Sequence, residues 1–354
     1  MNGIIRLQES LKDDECALFT DEVNRRYFTK MKSSAGAVLI FKQAAYLIID
    51  FRYYEKAKKQ VTDCEVIEQN RLYHQVNELI KKHGVGRVVV DENSVTLSEF
   101  FSLKDNLKAS VVQKSGLFKT VCALREVKRE DEKEKIIRAQ RIAERAYNEL
   151  LNFISIGKSE REIALELNRL MFSFGAEDIS FETIALGGKN TSVPHGTPSE
   201  YKLQKGDLLL LDFGAVYDGY HSDMTRTLAV GEIDDKKAFA YSTVLSAQEA
   251  AIDKIMSGVR CLDIDKAARD IIDSAGFEGR FGHSFGHGVG LEIHESPNVS
   301  PNNETRLKSG MVITAEPGVY FEDEFGIRIE DFGIVTDNSF ENFTKADKNL
   351  TIIK

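Results

Sequence analysis

Within the first 122 residues, apolar side chains gather in short runs at 36–41 (GAVLIF), 44–51 (AAYLIIDF) and 86–91 (GRVVVD). Runs of this length, rich in β-branched residues, predict strands. Between the second and third, 66–82 spaces its apolar residues at helical intervals and stops short of Gly84, which predicts a helix with a glycine cap. Strands alternating with helices predict an α/β layer domain.

The pattern changes after residue 122. Residues 126–154 contain no proline or glycine, and Ile136, Ala139, Ala143, Ala146, Leu150 and Ile154 recur at three- and four-residue steps. One long amphipathic helix is predicted, its first turns (EVKREDEKEK) forming a charged, solvated connector. Ser159 and Glu162 make a capping box that opens a second helix, with Ile163, Leu167, Leu170 and Phe174 on one face. Further helices are predicted over 236–256 and 263–275, each closely followed by glycine. Strand pairs lie between and after them, so this part reads as helices covering a sheet. We therefore expect an α/β domain over 1–122 and an α+β domain over 123–354.

Charge supports the division. The 354-residue chain carries a formal charge of −9, which splits into +3 over 1–122 and −12 over 123–354. Net acidity argues against a nucleic acid or an anionic membrane as partner, since both reward clustered positive charge. Five of the seven histidines and all five prolines fall in the second part. Cys16, Cys64, Cys122 and Cys261 are scattered without a CxxC pair, which suggests reduced thiols in the cytoplasm. No run of ~18 apolar residues or signal-like start is present, so a cytoplasmic protein is expected.

The chemistry concentrates in two hairpins. In 208–230 (LLLLDFGAVYDGYHSDMTRTLAV), Asp218-Gly219 is a favoured two-residue turn. It sets Tyr217 opposite Tyr220 and Asp212 opposite Thr225, making Asp212 and Asp223 diagonal neighbours on one face. The four leucines before Asp212 read as a buried strand, where a carboxylate needs a partner. In 311–335 (MVITAEPGVYFEDEFGIRIEDFGIV), an odd loop centred on Asp323 sets Glu316 opposite Glu330. Two hairpins of similar design suggest pseudo-symmetric halves around one site. Four converging carboxylates repel one another, and divalent metal resolves the conflict.

Between the hairpins, 282–295 (GHSFGHGVGLEIHE) supplies His283, His287 and His294. Four carboxylates and one imidazole suit two ions such as Mn²⁺, Co²⁺, Fe²⁺ or Zn²⁺. Two other patterns fail. The G-x-S-x-G around Ser284 has no aspartate between it and a following histidine, so the usual serine-hydrolase order is missing. The GGKNTS stretch has Thr183 where a P-loop needs glycine and Asn190 where it needs Ser/Thr.

Asp212, Asp223, His287 in GHGVG, Glu316 in EPG and Glu330 in IRIED, in that order, resemble the dinuclear metal set of the pita-bread (M24) metallopeptidases. The first domain, with SAG at 34–36 and DFRY at 50–53, resembles the creatinase-type domain of Xaa-Pro aminopeptidases and prolidases. The segment around His287 departs from the proline-peptidase signature at Phe285, where threonine or a smaller aliphatic is more usual.

The resemblance implies two divalent ions, Mn²⁺ foremost, a homodimer, and hydrolysis of Xaa-Pro bonds at peptide N-termini or in dipeptides by a metal-bridging hydroxide. It also implies roles: Glu316 as ligand and proton shuttle, His294 and His195 (in PHG) on the carbonyl oxygen, His283 near the prolyl pocket, and Arg328 orienting carboxylates. His221 has no such counterpart and reads as a hairpin surface residue. Two other functions compete: a non-catalytic pita-bread module that binds peptides or proteins, and a metal-free creatinase-like amidinohydrolase. The intact ligand set counts against both.

Overall fold

The computed structural model describes residues 2–113 and 116–354, and its contacts divide the chain into two units, Met1–Arg125 and Glu126–Lys354. Among the described residues, no helix is long and apolar enough to cross a membrane.

In the first unit one sheet runs in the order Glu65–Glu68, Ala44–Ile49, Ala37–Phe41, Glu15–Phe19, Arg87–Val90 and Ser110–Val112. Glu15–Phe19 is buried throughout and pairs antiparallel with Ala37–Phe41 and parallel with Arg87–Val90. It is too short, and follows too closely on charged residues, to stand out by periodicity. The apolar run 44–51 ends early as a strand. Asp50 Oδ1 accepts from the Arg52 amide at 2.9 Å and starts the helix Phe51–Gln60. The helix expected over 66–82 is likewise corrected: Glu65–Glu68 is a strand laid parallel on Ala44–Ile49, and the helix is Leu72–His83. Pairing at the sheet edge overrides the helical spacing of those first residues. Gly84, at φ 66°, closes the helix.

The second unit repeats one arrangement, a helix pair on a sheet. Helices Glu130–Leu150 and Glu160–Ser173 share a core with Leu209, Leu211, Phe213 and Leu228. Helices Asp235–Ile252 and Cys261–Ile272 share another with Ile313, Ala315, Val319, Ile327 and Phe285. The fold is thus α/β followed by α+β, the class that the apolar pattern predicts.

The helix expected from residue 126 begins only at Glu130. Val127 forms a sheet-like bridge with Met311, and the Lys128 amide donates to Gly310 O at 2.8 Å. Nor is this stretch solvated throughout: Lys128 Nζ meets Glu295 at 3.0 Å with both side chains buried, and Glu132 is buried. The box at Ser159 forms in both directions, with bonds of 3.1 Å and 2.8 Å.

Both hairpins take the register that their turns predict. Asp218 and Gly219 have φ of 45° and 81°, Tyr217 pairs with Tyr220, and Asp212 with Thr225. In the second, Phe321 pairs with Phe325 around Asp323, and Ala315 pairs with Asp331 further along the same register. Positions 316 and 330 therefore face each other.

Arg226 ties the two hairpins together. Its guanidinium, 1% exposed, pairs with Asp331 at 2.8 Å and donates to the carbonyl oxygens of Glu330, Ala346 and Asp347. Removing it leaves the carbonyl oxygens of Glu330, Ala346 and Asp347 without this donor, and leaves the buried Asp331 carboxylate to Asn342 at 2.7 Å and Lys348 at 3.5 Å. Arg226→Ala is expected to lower stability by about 3–5 kcal/mol, read as a shift in urea midpoint at constant slope.

Candidate metal centre

Strand geometry delivers the acidic side chains. Asp212 is the penultimate residue of the buried strand Leu208–Phe213, and Asp223 precedes Met224–Val230 on the neighbouring strand. Glu316 follows Val312–Ala315, and Glu330 precedes Asp331–Val335. His287 lies in Gly286–Gly288, where an added Cβ at Gly286 would come within 2.1 Å of Thr314 O. Only glycine lets that strand lie so close to its neighbour.

The side chains converge. His287 Nε2 is 3.3 Å from Glu316 Oε1 and 3.6 Å from Asp223 Oδ2. Asp223, His287 and Glu330 each offer a ligand atom within 4.8 Å of one another. His287 Nδ1 lies 3.1 Å from Gly288 O. A carbonyl only accepts, so Nδ1 carries the proton and Nε2 turns a lone pair toward the carboxylates. Lone pair and carboxylates repel unless a cation stands between them.

Burial defines the electrostatics. Desolvation first, and then neighbouring carboxylates, raise Asp223 and Glu330 well above the usual carboxylate range. Glu316 is pushed up to about 8, by burial first and, among its charged neighbours, by Asp212 against the opposing Arg328. Desolvation lowers His287 to about 4 and His283 to about 4, and lowers His294 as well. The donor set fits divalent metal. The strongest sign is Asp212 Oδ1, a buried oxygen with no hydrogen-bond partner among the described residues.

The surrounding shell holds the carboxylates. Thr225 Oγ1 donates to Glu330 at 2.8 Å, and Thr314 Oγ1 donates to Glu316 at 3.2 Å while accepting from the His287 amide at 3.0 Å. Arg328 donates from Nη2 to Asp212 at 2.5 Å and from Nη1 to the Tyr320 hydroxyl at 2.7 Å. Tyr320 in turn lies 3.0 Å from His283 Nε2, whose Nδ1 faces Ser284 O at 2.9 Å. His283 therefore has both ring nitrogens engaged.

Sequence reasoning missed Tyr320, Thr225 and Thr314 as parts of this shell. Part of the signal was there: Thr314 lies two residues before Glu316, and Thr225 faces Asp212 across the first hairpin, whereas Tyr320 belongs to a separate strand pair. The ring of His294 lies 4.4 Å from that of His287, centroid to centroid. His195, exposed on the loop after Gly188–Ser192, is close enough for its charge to depress His283 and His294. Beside His283 opens a cavity of about 570 Å³ lined by Arg269, Ser284, Asn298, Ser300 and Asn302 among others. His221, expected on the hairpin surface, is instead half-buried, and its amide donates to Gly290 O at 2.9 Å.

Residues 134–337 match metallopeptidase family M24, and residues 4–127 match the creatinase/prolidase N-terminal domain. An uncharacterized peptidase, YqhT, of Bacillus subtilis (strain 168) is 38% identical over 95% of each chain. The structure of a Xaa-Pro dipeptidase from Bacillus anthracis superposes with a TM-score of 0.94 at 38% identity, covering 99% of this chain and 98% of that one. An X-Pro aminopeptidase from Thermotoga maritima MSB8 superposes at 0.92 with 33% identity, covering 98% and 100%.

The raised carboxyl groups make a pH prediction. In the metal-free protein the folded centre keeps protons that the unfolded chain, with carboxyl pKa values near 4, has already lost. Folding then binds more protons than unfolding, and stability falls as pH rises toward the Glu316 value of about 8. The lowered histidines act in the opposite sense below about 6.5 and contribute nothing above it. Chelated protein should therefore melt at a lower temperature at pH 8 than at pH 7, with Mn²⁺ reversing the trend and releasing protons measurable by calorimetry in two buffers.

Proposed function

Since the chain belongs to metallopeptidase family M24, we propose that it hydrolyses the bond before proline in Xaa-Pro peptides, using two divalent ions held by Asp212, Asp223, His287, Glu316 and Glu330. The observation that carries this reading is the buried meeting of these carboxylates with an imidazole whose Nε2 lone pair faces them. The donor set, four carboxylates and one neutral imidazole, favours Mn²⁺, with Co²⁺, Fe²⁺ or Zn²⁺ as alternatives. When bound, the ions supply a more acidic water and a polarised scissile carbonyl.

The protein's own groups do the rest. Glu316, with Oε1 bonded to Thr314, keeps Oε2 for a proton taken from the attacking water and passed to the proline nitrogen. His195 and His294 donate to the carbonyl oxygen as negative charge develops on it. Arg328 orients Asp212 while remaining charged: burial opposes its charge, but Tyr320, Asp212 and Glu316 outweigh that penalty. His283, with both nitrogens engaged, meets the prolyl ring as a shaped wall rather than as an acid or base. Such a pocket suits proline, whose amide has no N–H for a general peptidase to grip.

The Bacillus anthracis neighbour is named a dipeptidase and the Thermotoga maritima neighbour an aminopeptidase, and each superposes on this chain over nearly its full length. The framework thus suits both Xaa-Pro dipeptides and longer Xaa-Pro-Xaa peptides. A homodimer in a reducing cytoplasm completes the reading, in keeping with the free thiols of Cys16, Cys64, Cys122 and Cys261.

Mn²⁺-loaded protein is expected to cleave a Xaa-Pro dipeptide, a Xaa-Pro-Xaa tripeptide or both, to lose activity with a chelator, and to regain it with Mn²⁺. Asp223→Asn and Glu316→Ala should each reduce kcat/KM by at least about 10³-fold. Equal turnover with and without chelator would overturn the metal mechanism, and cleavage of only one substrate type assigns the specificity.

A further inference from the structure

We propose that Glu160 is a positioning residue that sets the loop carrying His195, and so the placement of that imidazole over the substrate carbonyl. The inference rests on the role given to His195 above. Glu160 opens the helix Glu160–Ser173, yet its carboxylate serves none of that helix's own amides. Oε1 accepts from the Gly187 amide at 2.6 Å and from Asn190 Nδ2 at 2.9 Å. Oε2 accepts from the Ser199 amide at 2.9 Å and from the Ser199 hydroxyl at 2.5 Å. One carboxylate thereby closes the loop from 187 to 199 at both ends.

The side chain is 0% exposed, and among the described residues no cation forms an ion pair with it. Burying an uncompensated carboxylate is costly, and four hydrogen bonds to its charged form offset that cost only while all four donors stay in place. The arrangement therefore makes loop position and carboxylate burial interdependent. Two further anchors lie inside the loop. Thr191 Oγ1 accepts from the Gly326 amide at 2.8 Å, and Pro194 O accepts from Arg328 at 3.4 Å. His195 follows directly on Pro194 and is exposed, so the backbone around it, rather than packing of its own ring, determines where it points. None of the five proposed metal ligands touches Glu160. Its loss should disturb the histidine and leave metal binding alone.

In Glu160→Gln the single carbonyl oxygen can serve only one end of the loop, and the NH2 group then meets a backbone N–H, that of Gly187 or Ser199, at the other end and releases it. A displacement of about 1 Å at His195 is enough to lower kcat by about 10-fold, and KM should change less than about 2-fold because substrate binding does not depend on this contact. Co²⁺ affinity, followed by its absorbance band, should stay at the parent value, and amide exchange across 188–198 should speed up. The decisive measurement is a double-mutant cycle with His195→Ala: once the imidazole is gone, Glu160→Gln should cost nothing further.

If Glu160 variants fail to fold, Asn190→Ala removes one of the four donors and should give a smaller kcat loss, about 3-fold, absent again in the His195→Ala background. An unchanged kcat in Glu160→Gln beside a slow His195→Ala would overturn the positioning role alone. So would equal losses in the parent and His195→Ala backgrounds. Normal turnover in His195→Ala would overturn the role of His195, and this inference with it.

Discussion

Asp223 and Glu330 are buried, and Glu316 half-buried, around the Nε2 of a neutral imidazole, with Asp212 beside them, and the second unit is built to tolerate that crowding. Each carboxylate gives up water, and each raises the proton affinity of its neighbours. Left to itself such a cluster stays protonated or forces the surrounding chain apart. Cations in the middle convert repulsion into attraction, so the same arrangement that burdens the metal-free fold becomes its strongest local tie when filled.

That burden accounts for much of the surrounding architecture. Arg226 ties the two hairpins together through Asp331 and three carbonyl groups, so that carboxylates from separate strands keep their relative positions. Thr225, Thr314 and Arg328 restrain individual carboxylates by single hydrogen bonds of defined direction. Beneath the two hairpins lie two separate apolar cores, each a helix pair on strands, which give the centre rigid walls on both sides. Phe285 belongs to one of these walls. Fully buried, with its carbonyl accepting from the Glu316 amide at 2.8 Å, it anchors the backbone between His283 and His287.

Legibility in the sequence followed the range of the interaction. The two hairpin registers were readable because Asp218-Gly219 and the three-residue loop around Asp323 are local devices, and a two-residue period carries their geometry outward. The capping box at Ser159 was readable for the same reason. Elements that depend on a distant partner were not. Residues 66–68 carry a helical pattern but pair as a strand with Ala44–Ile49, and Val127 leaves the expected helix to bridge Met311. Tyr320 reads as an ordinary strand tyrosine until the fold brings His283 and Arg328 to its hydroxyl.

The chain by itself therefore determined the class of each unit and singled out the acidic and histidine side chains that the fold brings together, because secondary structure, turns and ligand chemistry are written in short spans of side chains. Tertiary structure decided how those residues act. It buried the carboxylates together and raised their proton affinity, and it chose the His287 tautomer through Gly288. It also committed both nitrogens of His283 and closed the His195 loop on Glu160. These outcomes depend on desolvation and on hydrogen bonds between residues far apart in the chain, such as Thr225 and Glu330 or Thr191 and Gly326. No local pattern encodes them.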